Sequence, residues 1–165
     1  MSLVNIPVDI EKIKNSQYLR FIDTTPSAQT PTWKVVGIGV TELSTEYNAQ
    51  VDTEQWIIED SARNDHTGNQ KSSSVTQKCY KGDPEFEFVN EGRDKLNYTT
   101  HVLEIDIWDK DSNNKYSAKM SDGLITISTY SGGQIEYNLM FNGDPKEGKA
   151  TIADGVPTFT ESQSL

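Results

Sequence analysis

Apolar residues occupy alternate positions through most of the second half of the chain. Leu103, Ile105 and Ile107 alternate with Glu104 and Asp106, and Ile125 and Ile127 with Thr126 and Ser128. Ile135, Tyr137, Leu139 and Phe141 alternate with Glu136 and Asn138. Successive side chains of a strand leave on opposite faces, so a period of two predicts one buried face and one wetted face. Between the runs stand Asp122-Gly123, Gly132-Gly133 and Asp154-Gly155. Such dipeptides supply the positive φ of tight turns, and together these signals predict a series of antiparallel hairpins.

The first half is less regular. Residues 1–31 read as an N-terminal arm followed by a first strand, Tyr18 to Thr24, and a linker from Thr25 to Pro31. Within the arm, Val4, Ile6, Val8 and Ile10 alternate as a strand would, whereas Ile6, Ile10 and Ile13 match a helical face that Pro7 opposes. Trp33 to Leu43 predicts a strand with Val36, Ile38 and Val40 on one face and Gly37 and Gly39 on the other. Glycines on one face of a strand mark a bend or a close backbone approach. Glu54 to Asp60, which contains Trp56, Ile57 and Ile58, and Val75 to Tyr80 predict a further pair. The segment 61–74 between them has almost nothing apolar, and so long a polar connection is either functional or disordered. In an isolated subunit it is expected to be mobile.

One helix is predicted, near residues 84–95. Asp83 suits its N-cap, Pro84 its first position, and Glu85 and Glu87 the positive end of its dipole. Phe86, Val89 and Leu96 form its apolar face with Phe88 alongside, and Gly92, costing about 1 kcal/mol relative to alanine, keeps it short. The fold class is therefore mainly β: an antiparallel β-sandwich over 32–160, one short α-helix flanking it, and a C-terminal tail at 161–165.

Composition narrows the function classes. A chain of 165 residues closes one core without metals or disulfides. Its net charge of −10 repels a phosphate backbone, which argues against direct nucleic-acid binding; solubility alone also accounts for it. No stretch approaches the roughly 20 apolar residues of a membrane span, and the opening Met1-Ser2-Leu3-Val4-Asn5 has no signal-peptide pattern. Cys79 is the single cysteine, consistent with a reducing compartment, and reads as a semi-buried strand residue.

Candidate chemistry is sparse. His66 and His101 have no nucleophile-like neighbour in sequence, and the carboxylates are scattered over exposed strand faces. Asp109-Lys110-Asp111-Ser112-Asn113 resembles the start of a calcium loop, but the pattern then carries Asn114 for glycine and Met120 for glutamate. A polar turn between Trp108 and Lys115 explains it better. Asn97-Tyr98-Thr99 is a glycosylation sequon by pattern only. No catalytic, cofactor-binding or metal-ligating residue is assigned.

The order of the motifs carries more. Trp33-Lys34-Val35-Val36-Gly37-Ile38-Gly39-Val40-Thr41-Glu42-Leu43 precedes Tyr47-Asn48 and Gln55-Trp56-Ile57-Ile58. A polar loop, Gly82-Asp83-Pro84 opening a helix, the strand Thr100 to Trp108 and the hairpin around Gly132-Gly133 follow. Asn142 to Gly148 and Thr158-Phe159-Thr160 close the series. From Trp33 to Thr160 this succession resembles the major tail protein, or tail tube protein, of bacteriophages with long non-contractile tails. It departs from that family at His66-Thr67-Gly68-Asn69-Gln70, which lacks an aromatic after the glycine.

The resemblance implies a tail-tube sandwich that forms six-membered rings with itself. The rings stack into a hollow tube whose wall is a continuous β-barrel. It implies that Arg63, Asn64, Asp65, His66, Asn69, Gln70 and Lys71 belong to an inter-subunit loop that orders on reaching a neighbour. Glu42, Glu46, Glu54 and Glu59 would face the lumen and repel transiting DNA; the other reading is that they face solvent outside. Tape-measure, tail-terminator and distal-tail proteins are the implied partners, with no membrane, and the location is the virion after assembly in the bacterial cytoplasm. Two alternatives stay open. One is a tube protein of a sheathed contractile tail, bacteriocin or secretion system. The other is a carbohydrate-binding β-sandwich using Trp33, Trp56 and Trp108, although their positions among core residues favour burial.

Overall fold

The computed structural model describes residues 9–163, so the alternation of Val4, Ile6 and Val8 and the end of the tail lie outside the described residues. Ile10 and Ile13 belong to neither a strand nor a helix; both are exposed ahead of a 3₁₀ turn, Asn15–Gln17. The strands are β1 (Tyr18–Asp23), β2 (Trp33–Val35), β3 (Val40–Glu46), β4 (Ala49–Glu54), β5 (Arg63–Asn69) and β6 (Ser72–Lys78). After the helix α1 (Pro84–Glu91) come β7 (Tyr98–Lys110), β8 (Tyr116–Tyr130), β9 (Gln134–Ala153) and β10 (Val156–Glu161). The fold is mainly β and sandwich-like, with a curled antiparallel sheet and one short helix.

The main sheet runs β2-β1-β7-β8-β9-β6-β3, with β10 added beside the second half of β9. Its two end strands, β2 and β3, are joined by only Val36 to Gly39. A chain spans at most about 3.6 Å per residue, so the ends of the sheet lie within roughly 18 Å of each other. The sheet must therefore curl until its first and last strands approach. Gly39 makes the corner: its φ is +73°, and a Cβ there would sit 2.4 Å from the Lys78 carbonyl oxygen. The strand expected over Trp33–Leu43 is thus two strands at opposite ends of one sheet, and the paired glycines mark the bend between them.

The strands β7, β8 and β9 hold 13, 15 and 20 residues, too long for one flat layer. Irregularities in the β8–β9 ladder between Met120 and Asp122, and between Ile127 and Thr129, let the pair bend. Two apolar clusters result. Ile22, Val36, Val75, Phe86, Val89 and Tyr137 lie in one, and Phe21, Trp33, Leu103, Ile105 and Ala150 in the other. Phe21 and Ile22 are neighbours on β1 and enter different clusters, so both faces of that strand are buried.

Two of the expected turns are present. Gly132 (φ +85°) lies between β8 and β9, and Asp154 and Gly155 (φ +51° and +76°) lie between β9 and β10. Asp122-Gly123 is not a turn. It continues β8, paired with Asn142 and Phe141 of β9, because ladders on both sides outweigh the local preference. The helix is shorter than the expected 84–95 and ends at Glu91, with Gly92 as its C-cap. A Cβ at Gly92 would meet the Tyr98 ring at 2.2 Å. That ring stacks on Phe88 with centroids 5.0 Å apart, and its hydroxyl donates to the Phe88 carbonyl at 2.8 Å. Leu96 falls outside the helix and is exposed, leaving Phe86 and Val89 as the buried apolar residues, with Glu85 buried beside them.

Candidate assembly interface

The segment expected to be a polar loop, 61–74, is a strand followed by the start of another. Arg63–Asn69 forms β5, which among the described residues pairs with β4 alone, and Ser72 begins β6. The pair β4–β5 prolongs the β3–β6 ladder beyond the sheet: Glu46 pairs with Ser72, and beyond Asn48 and Gln70 the pairing resumes at Ala49 and Asn69. Asn48 takes a φ of +45° at this joint, and its side-chain amide donates to the Gln70 carbonyl at 3.1 Å. Six residues at about 3.3 Å each make an arm of roughly 20 Å. Every β4 residue is exposed on both faces, so backbone hydrogen bonds rather than burial hold the arm together.

Trp56, Ile57 and Ile58, expected within a strand, instead form the exposed tip of this arm, with Ile57 fully exposed. Three large apolar side chains at the end of a polar arm are the most conspicuous apolar surface on the described residues. Arg63 braces the tip. Its guanidinium lies 4.2 Å from the Trp56 ring centroid, and its Nε donates to Glu59 Oε2 at 2.7 Å. This bond pulls the Glu59 carboxyl below its ordinary range and holds the Arg63 guanidinium above its own. The arm otherwise carries Asp52, Glu54, Asp60 and Asp65 with no further lysine or arginine.

The residues assigned to the inter-subunit loop thus divide. Arg63, Asn64, Asp65, His66 and Asn69 are exposed on β5; Asn64 Oδ1 accepts from the Thr53 hydroxyl at 2.8 Å, and His66 Nε2 lies 2.9 Å from Asn69 Oδ1. Gln70 is at the joint. Lys71 turns inward, donating to Glu104 Oε2 at 2.6 Å and lying 4.4 Å from the centre of the Phe141 ring. The four candidate lumen acids divide as well. Glu42 and Glu46 share the exposed face of β3 with Ser44, whereas Glu54 ends β4 and Glu59 lies in the tip.

Two buried polar groups went unnoticed in the sequence. Glu104 accepts from the Tyr18 hydroxyl at 2.6 Å as well as from Lys71, and Arg20 lies beside them with its guanidinium carbon 4.6 Å from the Tyr18 ring centre. Burial first, then the Glu104 charge, raises the Tyr18 phenol above its ordinary value. Deeper in, Gln77 Nε2 donates to Glu85 Oε2 at 2.7 Å, to Asp83 Oδ2 at 3.1 Å and to the Ile38 carbonyl at 2.9 Å. For Arg20 the available signal was a charged residue sharing a strand face with Tyr18 and Ile22; Glu104 offered none, because alternation sets it on the wetted face opposite Leu103 and Ile105.

Of the other residues singled out, Asp83 caps α1, accepting from the Glu85 backbone N–H at 3.2 Å. His101 is half-buried, with Nδ1 3.0 Å from the buried Asp23 carboxylate. Cys79 is half-buried just past β6, and burial raises its thiol. Asp111 accepts from the backbone N–H of Asn113 at 2.8 Å and of Lys115 at 3.0 Å, so this carboxylate shapes the turn between β7 and β8. Trp33 is buried as expected, but Trp56 and Trp108 are half-exposed. Among the described residues no group of three or more His, Cys, Asp or Glu is placed to hold a metal ion, and no helix is long and apolar enough to cross a membrane. No family model matches this chain, and no curated protein matches it.

Proposed function

We propose that this chain is a structural protein that assembles with copies of itself into stacked six-membered rings, forming the hollow tail tube of a long non-contractile-tailed bacteriophage. The observation that carries this reading is the β4–β5 arm, which leaves the sheet and ends in Trp56, Ile57 and Ile58. A protruding apolar tip is a liability for an isolated subunit and a plug for a neighbouring one. When the plug and its socket are different surfaces of the same chain, contacts propagate head to tail and generate rings or filaments. The outer edge of β3, which pairs with no strand among the described residues, adds backbone groups that a neighbouring strand would satisfy.

The same reading gives the acids of β3 a role. Glu42 and Glu46, on one exposed face, would repel phosphates within about 8 Å at physiological salt, letting DNA pass as cargo without adhering. Tape-measure, terminator and distal-tail proteins would be its partners, and the virion its location. Electron microscopy of concentrated protein tests the proposal: hollow filaments of uniform width are expected. A monomer that forms no filaments even when tail-initiating complexes are supplied would overturn it.

A second reading, a carbohydrate-binding module, draws support from the half-exposed Trp56 and Trp108. The Arg63 guanidinium already covers a face of Trp56, which argues against that ring as a sugar platform. Calorimetric glycan binding by a discrete monomer, abolished by Trp108→Ala, would favour this alternative.

A further inference from the structure

We infer that the seam between β3 and the start of β1, which the short β2 leaves uncovered as the sheet curls, is a binding site for a compact oxyanion, a carboxylate or a phosphate group, anchored by Arg20. These strands approach each other without hydrogen-bonding, because β1 pairs with β2 and β7 and β3 pairs with β6. A cavity of about 360 Å³ lies in the seam, lined by Tyr18 and Arg20 from β1, Thr41 and Glu42 from β3, and Lys14 and Asn15 ahead of β1.

Arg20 is the anomaly. Its cross-strand neighbour on β7 is Glu104, the natural counter-ion for an arginine at this position. Both Glu104 oxygens are already engaged, one by the Tyr18 hydroxyl and the other by Lys71, each at 2.6 Å. Asp83 and Glu85 are engaged too, with Gln77, Tyr137 and the start of the helix. Arg20 is only 4 % exposed, yet Nε and Nη1 have no acceptor among the described residues. The ring face of Tyr18 attracts the cation but accepts none of its in-plane hydrogens. Burying guanidinium donors without acceptors is costly, and because Arg20 lines the cavity a small turn of its side chain toward the opening would let those donors take a partner from outside.

The chemistry of that partner follows from the donors. A guanidinium presents a planar fork that matches two oxygens of a carboxylate or phosphate. Lys14 adds a second positive charge, and Asn15 offers an amide. Glu42, exposed at the rim, opposes any anion and limits its affinity. A dissolved small anion is one source of such a group. The other is an acidic side chain of a second copy seated against β3, and only this second source rests on the assembly reading.

The test follows the Arg20 Nε–H resonance in the ¹⁵N-labelled full chain, identified by its disappearance in Arg20→Lys. The chain is titrated with sodium phosphate and with malonate, using chloride at matched ionic strength as the control. A saturable shift with phosphate or malonate but not chloride is expected, with affinity rising severalfold in Glu42→Gln and falling severalfold in Lys14→Glu. If dissolved anions leave the resonance in place but self-association moves it, the ligand is a carboxylate of the second copy. A resonance unmoved by either anion and by concentration, or moved equally by chloride, overturns the proposal. If the chain never self-associates, the assembly reading fails while the titration still decides the site.

Discussion

Tyr137 donates its hydroxyl to Glu85 Oε1 across 52 positions of sequence, fastening the first turn of α1 to the start of β9. Gln77 of β6 holds the other carboxylate oxygen, so one buried acid ties together the helix and two adjacent strands. Glu85 stands where a glutamate ordinarily serves the helix dipole from the surface, yet it is 0 % exposed. Burial pushes its carboxyl up to about 7, against the pull of its two donors, and the nearby Asp83 adds to the rise.

This predicts a pH signature. The folded carboxyl holds its proton to a higher pH than the unfolded one, whose ordinary value is 4.5. Its contribution is therefore fully present below about pH 4.5 and is lost as pH rises through about 7. Glu85→Gln should remove this dependence. In denaturant unfolding, the stability of the variant relative to the parent should improve by about 2–3 kcal/mol between pH 4 and pH 8. Parallel stability curves for the two proteins would contradict it.

Lys71 lies at the foot of the arm but works inside the subunit. Lys71→Met leaves the buried Glu104 carboxylate with Tyr18 as its remaining bonded partner, and breaking a buried pair from one side costs about 3 kcal/mol. Chemical denaturation of dilute monomer should show that loss, whereas a purely inter-subunit lysine would leave monomer stability unchanged.

The arm tip should behave in the opposite way. Replacing Trp56, Ile57 and Ile58 together by serine removes exposed apolar surface and should change monomer stability by less than about 1 kcal/mol. Sedimentation velocity at high concentration should then show monomer where the parent protein assembles. Assembly at unchanged concentration would release the tip from that role.

Gly148 tests the packing of β10 against β9. It faces β10, and a Cβ there would sit 2.2 Å from the Thr160 carbonyl oxygen and 2.7 Å from the Phe159 ring. Gly148→Ala should cost about 1–3 kcal/mol and speed amide exchange through Val156–Glu161 while sparing β1 and β7.

The features legible from sequence need only local information. Ile135, Tyr137 and Leu139 declared a strand by period alone, Asp83-Pro84 declared a helix start, and Gly132 and Asp154-Gly155 declared turns through φ. Each follows from side-chain spacing or backbone sterics within a few residues, with no reference to a partner strand.

Pairing partners and burial depth were settled only in three dimensions. Arg63–Asn69 contains no apolar residue, so hydrophobic periodicity is blind to β5; hydrogen bonds to β4 make it a strand. Trp56-Ile57-Ile58 looks like core to any apolar pattern and becomes a tip because the flanking segments fold back on each other. Asp122-Gly123 has a turn's composition and stays extended because β7 and β9 both pair with it. Arg20 reads as an ordinary charged residue until the curl of the sheet encloses it beside a Glu104 already held by Tyr18 and Lys71. Spacing along the chain determines which residues share a face, but long-range hydrogen bonding and sheet curvature decide what that face meets.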